Sequence, residues 1–246
     1  MAKASRDRRS DAVGAERDGL RIHQSIARQL GTAILTGRYA PGDNLGGEIE
    51  ASERLGISRT AYREAIRILI AKGLIESRPK AGTHVLPRRR WNVLDPDMLA
   101  WMFAQRPDES FVRDLFELRA IIEPEAAALA ALRAEPVHLE GMAAALEGMR
   151  VHGLAAPEGQ AADQDFHSSM LDGAGNAALT SLVGSVGAAV RWTTHFKQSI
   201  SPSPRDPVAE HEAVYLAIVE RDPARAREAM AELLRLARGD LADVFA

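Results

Sequence analysis

Cysteine is absent from the 246 residues, which excludes disulfides, thiolate metal sites and a cysteine nucleophile and fits a reducing cytosol. Aromatic residues are few, with 3 Trp, 3 Tyr and 6 Phe. Cores must therefore be filled largely by Ala, Leu, Ile and Val. No stretch approaches the roughly 20 apolar residues needed to cross a bilayer, and no apolar targeting segment follows Met1. The expectation is a soluble, cytoplasmic chain with no membrane partner. Hydrophobic residues still make up 46%, and a chain of this length suggests two domains.

The formal net charge of −3 conceals a strong asymmetry. Residues 1–90 carry 18 Lys and Arg against 10 Asp and Glu, a net of +8, which leaves 13 against 24, or −11, for the remainder. A basic module joined to an acidic one points the first half toward a polyanion such as DNA. The first 18 residues mix Lys, Arg, Asp, Ser and Ala without an apolar period, so residues 1–18 read as a disordered tail.

From Leu20 to Thr36 the apolar residues Ile22, Ile26, Leu30, Ala33 and Ile34 form one helical stripe, which Gly37 ends. A second short helix runs from Gly47 to Leu55. Gly56 suits the left-handed residue that terminates it, and Ser58 suits the cap of a third helix reaching Lys72-Gly73. Leu74–Arg78 and Thr83–Leu86 then read as two strands joined by Pro79-Lys80-Ala81-Gly82, a β-wing. A helix that begins Ser58, Arg59, Thr60 and Arg63 offers guanidinium forks and hydroxyls to guanine edges and phosphates of the major groove. Lys80 at the wing tip is placed to meet a phosphate or the minor groove, with Gly82 allowing close backbone approach.

Pro87-Arg88-Arg89-Arg90, followed by the apolar positions between Trp91 and Trp101, reads as a linker and short helix whose apolar members tie two domains together. Six helical patterns follow: Glu109–Arg133, Pro136–His152, Pro157–Gly173, Ala177–Ser199, Pro204–Arg221 and Pro223–Val244. Prolines at their starts and glycines near their ends match the usual helix asymmetry. The fold class is thus mainly α, a winged helix-turn-helix plus an all-α bundle. The expected domains are 1–18 tail, 19–87 DNA-binding, 88–107 linker and short helix, and 108–246 bundle. Within the bundle Asp163 and His167 are four residues apart on one helix, and His211 begins another helical run. A carboxylate with two imidazoles suits zinc or another borderline divalent ion. A surface Asp-His pair with an unrelated His has the same spacing, so both readings stand at this point. Arg191 and His195, one turn apart, likewise read either as site residues or as bundle surface.

Pro41-Gly-Asp-Asn-Leu45, Glu48, Leu55-Gly-Ile-Ser-Arg-Thr60, Arg63-Glu-Ala-Ile66, Gly73-Leu-Ile75 and Gly82-Thr-His-Val85 together resemble the winged helix of the GntR superfamily. The resemblance implies that Ser58, Arg59, Thr60 and Arg63 contact DNA and that Lys80 to Gly82 enters the minor groove. Gly46, Gly47 and Ile49 depart from the family pattern. Glu117-Leu-Arg119, Ile122-Glu-Pro124, Asp163 to His167, Asn176, Glu210-His211 and Arg221-Asp-Pro-Ala224 resemble the FadR-type effector domain, FCD. That likeness implies an effector pocket containing Arg119, Asp163, His167 and His211, to which Arg191 and His195 are added as candidates on their spacing alone. It also implies a metal, zinc first, on Asp163, His167 and His211. A fourth ligand is implied near position 233, where Leu233 cannot ligate. The segment after the wing resembles sugar-acid repressors of the galactonate type.

The expected protein is therefore an effector-responsive repressor of a catabolic operon and not an enzyme. It should bind a pseudo-palindromic double-stranded operator as a homodimer and sense a sugar acid or other small carboxylate. The alternative is a metal-dependent hydrolase built on Asp163, His167 and His211.

Overall fold

The computed structural model describes residues 22–78, 81–201 and 204–245. The expected tail over residues 1–18 and the wing-tip Lys80 lie outside the described residues. The chain divides into two compact units, one ending at Met102 and the other beginning at Phe103.

The first unit begins with helix α1 over residues 22–35, followed by α2 (Glu48–Leu55) and α3 (Arg59–Ala71). Gly56 adopts a left-handed φ of 65° that ends α2, and Ser58 Oγ accepts the Ala61 N–H at 3.1 Å to start α3. These two local choices make the tight turn between the helices. Strands β1 (Ile75–Arg78) and β2 (Gly82–Val85) pair antiparallel, with Ile75 opposite Val85 and Arg78 opposite Gly82. Ile34, Leu69, Leu74 and Ile75 are fully buried beneath them.

A 3-10 turn over Arg88–Arg90 leads into α4 (Pro96–Phe103). Of the apolar residues in this segment, Trp91, Met98 and Trp101 are buried in the core of the first unit. Trp91 Nε1–H donates to Leu86 O at 2.8 Å. The buried Lys72 ammonium bridges Asp95 at 2.6 Å and Asp97 at 2.8 Å, and lies 5.3 Å from the centre of the Trp101 ring. Burial by itself would lower the Lys72 pKa, but hydrogen bonds to Asp95 and Asp97 outweigh it and raise the group above its ordinary value.

The second unit is all helix among its described residues: α5 (Glu109–Arg133), α6 (Pro136–His152), α7 (Pro157–Gly173), α8 (Ala177–Thr180), α9 (Val183–Ile200), α10 (Val208–Val219) and α11 (Pro223–Phe245). Two boundaries differ from the sequence expectation. The single helix expected over Ala177–Ser199 is two, because Asn176 caps a short turn through the Ala178 and Leu179 N–H groups and Ser181 Oγ–H returns to the Ala178 carbonyl at 2.7 Å. The helix expected from Pro204 starts at Val208. Pro207 disfavours helix in the residue before it, and Asp206 accepts the Val208 N–H at 3.1 Å.

Small residues set the spacing of this bundle. Ala126, Ala127, Ala130 and Ala131 of α5 share one core with Ala226 and Met230 of α11 and with Met142, Met149, Phe166 and Met170 of α6 and α7. Burying each of the large members stabilises the fold by about 1.5–3 kcal/mol. At the α6–α7 connection the backbones nearly touch, since a Cβ on Gly159 would stand 1.9 Å from the Gly153 carbonyl oxygen. Gly239, exposed on α11, has nothing within 4 Å of such an atom.

Alanine at these two glycines should act with opposite sign. Gly159→Ala should lower stability by about 1–3 kcal/mol through forced displacement, and Gly239→Ala should raise it by about 0.5–1 kcal/mol through helix propensity. Urea denaturation read by circular dichroism checks both, and equal effects would contradict the packing described.

Candidate functional site

Two groups of residues carry chemistry, one in each unit. In the first, Ser58, Arg59, Thr60 and Arg63 lie together at the N-terminal end of α3, all exposed. Arg59 and Arg63 are one turn apart and so share a face. Ser58 accepts as the helix cap while its hydroxyl proton stays available to donate. Gly82, at φ +89°, sits against Asn44, whose side chain lies 3.0 Å from where a Cβ would stand. Only glycine allows that approach at the described edge of the wing.

In the second unit α5, α7, α9 and α10 each send polar side chains inward. Asp163 and His167 come from α7 and His211 from α10, all buried. His211 Nε2 lies 3.0 Å from Asp163 Oδ1 and 3.3 Å from His167 Nε2, and His167 Nε2 lies 3.7 Å from Asp163 Oδ1. The three side chains that the sequence pairs as metal ligands can each offer one atom, all within 4.8 Å of one another.

Both imidazoles are oriented from behind. His211 Nδ1 lies 2.8 Å from the Pro207 carbonyl, which can only accept, so Nδ1 carries the proton. His167 Nδ1 lies 2.5 Å from Glu123 Oε2. Each ring turns its Nε2 toward Asp163 Oδ1. Two ring nitrogens and a carboxylate oxygen thus converge on one point, where they could hold a cation. Two imidazoles, one backed by a carbonyl and the other by a carboxylate, with a second carboxylate, Asp163, in front, make a donor set of the kind zinc takes.

Glu123 is itself anchored. Arg119 Nε donates to Glu123 Oε1 at 2.6 Å, and Arg119 Nη1 donates to Thr193 Oγ1 at 3.1 Å. Burial would raise the Glu123 pKa, but the Arg119 guanidinium and the His167 ring outweigh it and hold it at about 2. Asp163 is also raised by burial and more than compensated, by His211, by His167 and by Thr194 Oγ1–H donating at 2.7 Å, and it lies well below the usual carboxylate range. The surrounding cavity is about 20 Å³ and is lined in part by Arg119, Lys197 and Leu233. That is room for one water or ion. Leu233 contributes an apolar wall.

Arg191 and His195 are not part of this cavity. α9 turns Thr193, Thr194 and Lys197 inward, which leaves both of them on the opposite, exposed face. His195 Nδ1 instead lies 3.2 Å from Gln160 Oε1, and its ring meets Trp192 edge-on. Sequence reasoning missed Glu123, Thr193, Thr194 and Lys197. Glu123 had a signal, its position one helical turn after Arg119. The two threonines and Lys197 carry no pattern that separates them from ordinary helix residues.

The model for bacterial regulatory proteins of the gntR family matches residues 22–85, and the FCD domain model matches residues 114–236. The chain is 32% identical to the galactonate operon transcriptional repressor of Escherichia coli, over 83% of this chain and 90% of that one. It is 30% identical to the transcriptional regulator LutR of Bacillus subtilis, over 80% and 90% respectively. Among solved structures, Lar, which controls expression of the agr system of Listeria monocytogenes, shares the fold with a TM-score of 0.63 at 18% identity, over 90% of this chain and 97% of that one. These relatives are transcriptional regulators, and the hydrolase alternative finds no support among them.

Replacing Glu123 tests how the cavity is held together. Glu123→Gln leaves the Arg119 guanidinium buried without a counter-charge and should cost about 3 kcal/mol. Glu125→Gln, which unpairs only the exposed Glu125 and Arg227, should cost at most about 1 kcal/mol. Urea midpoints of the two variants make the comparison, and similar values would contradict the buried network.

Proposed function

Since the chain belongs to the GntR family of bacterial regulatory proteins, carries an FCD domain and is a DNA-binding transcriptional regulator, we propose that it is a homodimeric, metal-dependent repressor of a catabolic operon whose effector is a sugar acid or similar small carboxylate. The observation that carries this reading is the convergence of Asp163 Oδ1 and the Nε2 atoms of His167 and His211 beside the buried Arg119 guanidinium. A divalent ion, zinc first, would supply a Lewis-acidic centre for an effector carboxylate and its neighbouring hydroxyl. Asp163, His167 and His211 would hold it. Leu233 adds no fourth ligand, which leaves coordination positions to water or effector.

Arg119 spends its Nε on Glu123 and Nη1 on Thr193, and its remaining N–H groups are available to a carboxylate. The galactonate repressor of Escherichia coli supports the sugar-acid class. A cavity of about 20 Å³ is smaller than any such acid, so effector binding selects a more open arrangement of the helices. That differential affinity is what couples the site to DNA binding.

At the other end, Arg59 and Arg63 meet base edges and phosphates of one half-site, with Gly82 of the wing on the flanking groove. One short helix reads too few base pairs for selectivity, which supports a dimer on a pseudo-palindrome. The described helices include none long and apolar enough to cross a membrane, in keeping with work in the cytoplasm.

Arg59→Ala and Arg63→Ala should each abolish specific operator binding while leaving the metal-dependent thermal stability of the second unit unchanged. Gel-shift titration at near-physiological salt checks this, and retention of wild-type affinity would sink the assignment of α3. The double variant His167→Ala, His211→Ala should keep operator affinity but lose both the thermal stabilisation by zinc and the release of DNA by sugar acids. Zinc content by mass spectrometry, with and without a chelator, provides an independent readout.

A further inference from the structure

Glu48 is the first residue of α2, and its carboxylate reaches across to α3. Oε1 accepts from Arg63 Nη2 at 2.8 Å and Oε2 from Arg63 Nε at 3.3 Å, a two-point grip on the guanidinium. Both partners are open to water, with side-chain exposures of 59% for Arg63 and 35% for Glu48. Exposed pairs of this kind add little to folding stability. Their effect here is to fix a direction.

The carboxylate is itself held at a defined origin. Asn44 Oδ1 accepts the Gly46 N–H at 2.9 Å, the Leu45 N–H donates to Thr83 O at 2.8 Å, and Asn44 Nδ2 donates to Ala81 O at 3.4 Å. The loop that delivers Glu48 is thereby tied to the wing. A negative charge placed on Arg63, at the end of α3 that also carries Arg59 and Thr60, works against attraction to a polyanion. The grip uses the Nε side of the guanidinium and leaves its Nη1–Nη2 end free, the edge that meets guanine O6 and N7 in a two-point contact.

We propose that Glu48 is a specificity-determining positioning residue of the DNA face: it aims the free end of Arg63 at a base edge and cancels the charge with which Arg63 would otherwise hold phosphates of any sequence. The inference rests on the assignment of Arg63 to DNA given above.

The test uses the full chain and two probes, a duplex enriched by the wild-type protein from a random-sequence pool and an unselected random duplex. Glu48→Gln should bind the random duplex more tightly, with the slope of log affinity against log salt steeper by about 0.9, as one freed cation now displaces a counterion. The ratio of selected to random affinity should fall about 10-fold. Glu48→Asp, one methylene too short for the two-point grip, should lower the ratio in the same direction, and unchanged melting curves show that both variants are folded.

Equal gains on both duplexes with an unchanged ratio would overturn the proposal, leaving Glu48 as a through-space charge only. Arg63→Ala separates the inference from its premise. If Arg63→Ala lowers the ratio and Glu48→Gln does not, the Glu48 role alone falls. If Arg63→Ala keeps the wild-type ratio, the DNA assignment of Arg63 falls and the Glu48 role falls with it.

Discussion

Two carboxylates, Glu123 and Asp163, are removed from solvent inside a bundle whose core is mostly Ala, Leu and Met, and the second unit is organised around keeping them ionised. Removing a charge from water costs several kcal/mol even after relaxation, and only close partners of opposite charge or strong donors offset it. Those partners come from four helices: Arg119 on α5, His167 on α7, Thr194 on α9 and His211 on α10. The pairing therefore constrains how α5, α7, α9 and α10 are rotated about their axes. Apolar packing alone would fix these rotations loosely, since alanine-rich faces are smooth.

The first unit follows a different rule. Its charged side chains near α2 and α3 are mostly exposed, and pairs such as Arg67 with Glu64 or Arg63 with Glu48 stand in water, where they add little to stability. Stability there comes from Leu69, Leu74, Ile75 and the tryptophans of the segment after the wing. The polar surface is consequently free to be specified by what it binds, whereas the polar interior of the second unit is bound to its own fold.

How much of this was legible in the sequence depended on the range of the forces involved. The limits of α5, α6 and α7 agree with the sequence pattern because Asp108, Pro136 and Pro157 are local start signals that act within one turn. The turn at Gly56 and the cap at Ser58 were readable for the same reason. The break between α8 and α9 was not, since Ser181 and Leu182 interrupt an apolar pattern that reads as continuous. Asp163, His167 and His211 were nominated by spacing and by resemblance, and they do meet in space. Arg191 and His195 looked equivalent by spacing, but the rotation of α9 is set by what packs on Thr193, Thr194 and Lys197, and no residue near in sequence reports it. The role of Glu123 is not legible in the sequence, because its contact with His167 joins residues 44 apart, on α5 and α7.

The tightness of the central cavity has a kinetic meaning. A space of about 20 Å³ holds about one water, so an effector of the proposed kind would enter only with local opening of the bundle. Its association rate would then be the diffusional rate multiplied by the open fraction, and its departure would wait on the same opening. A switch of that kind would average over fluctuations in effector concentration that are faster than the opening, and respond to levels that persist.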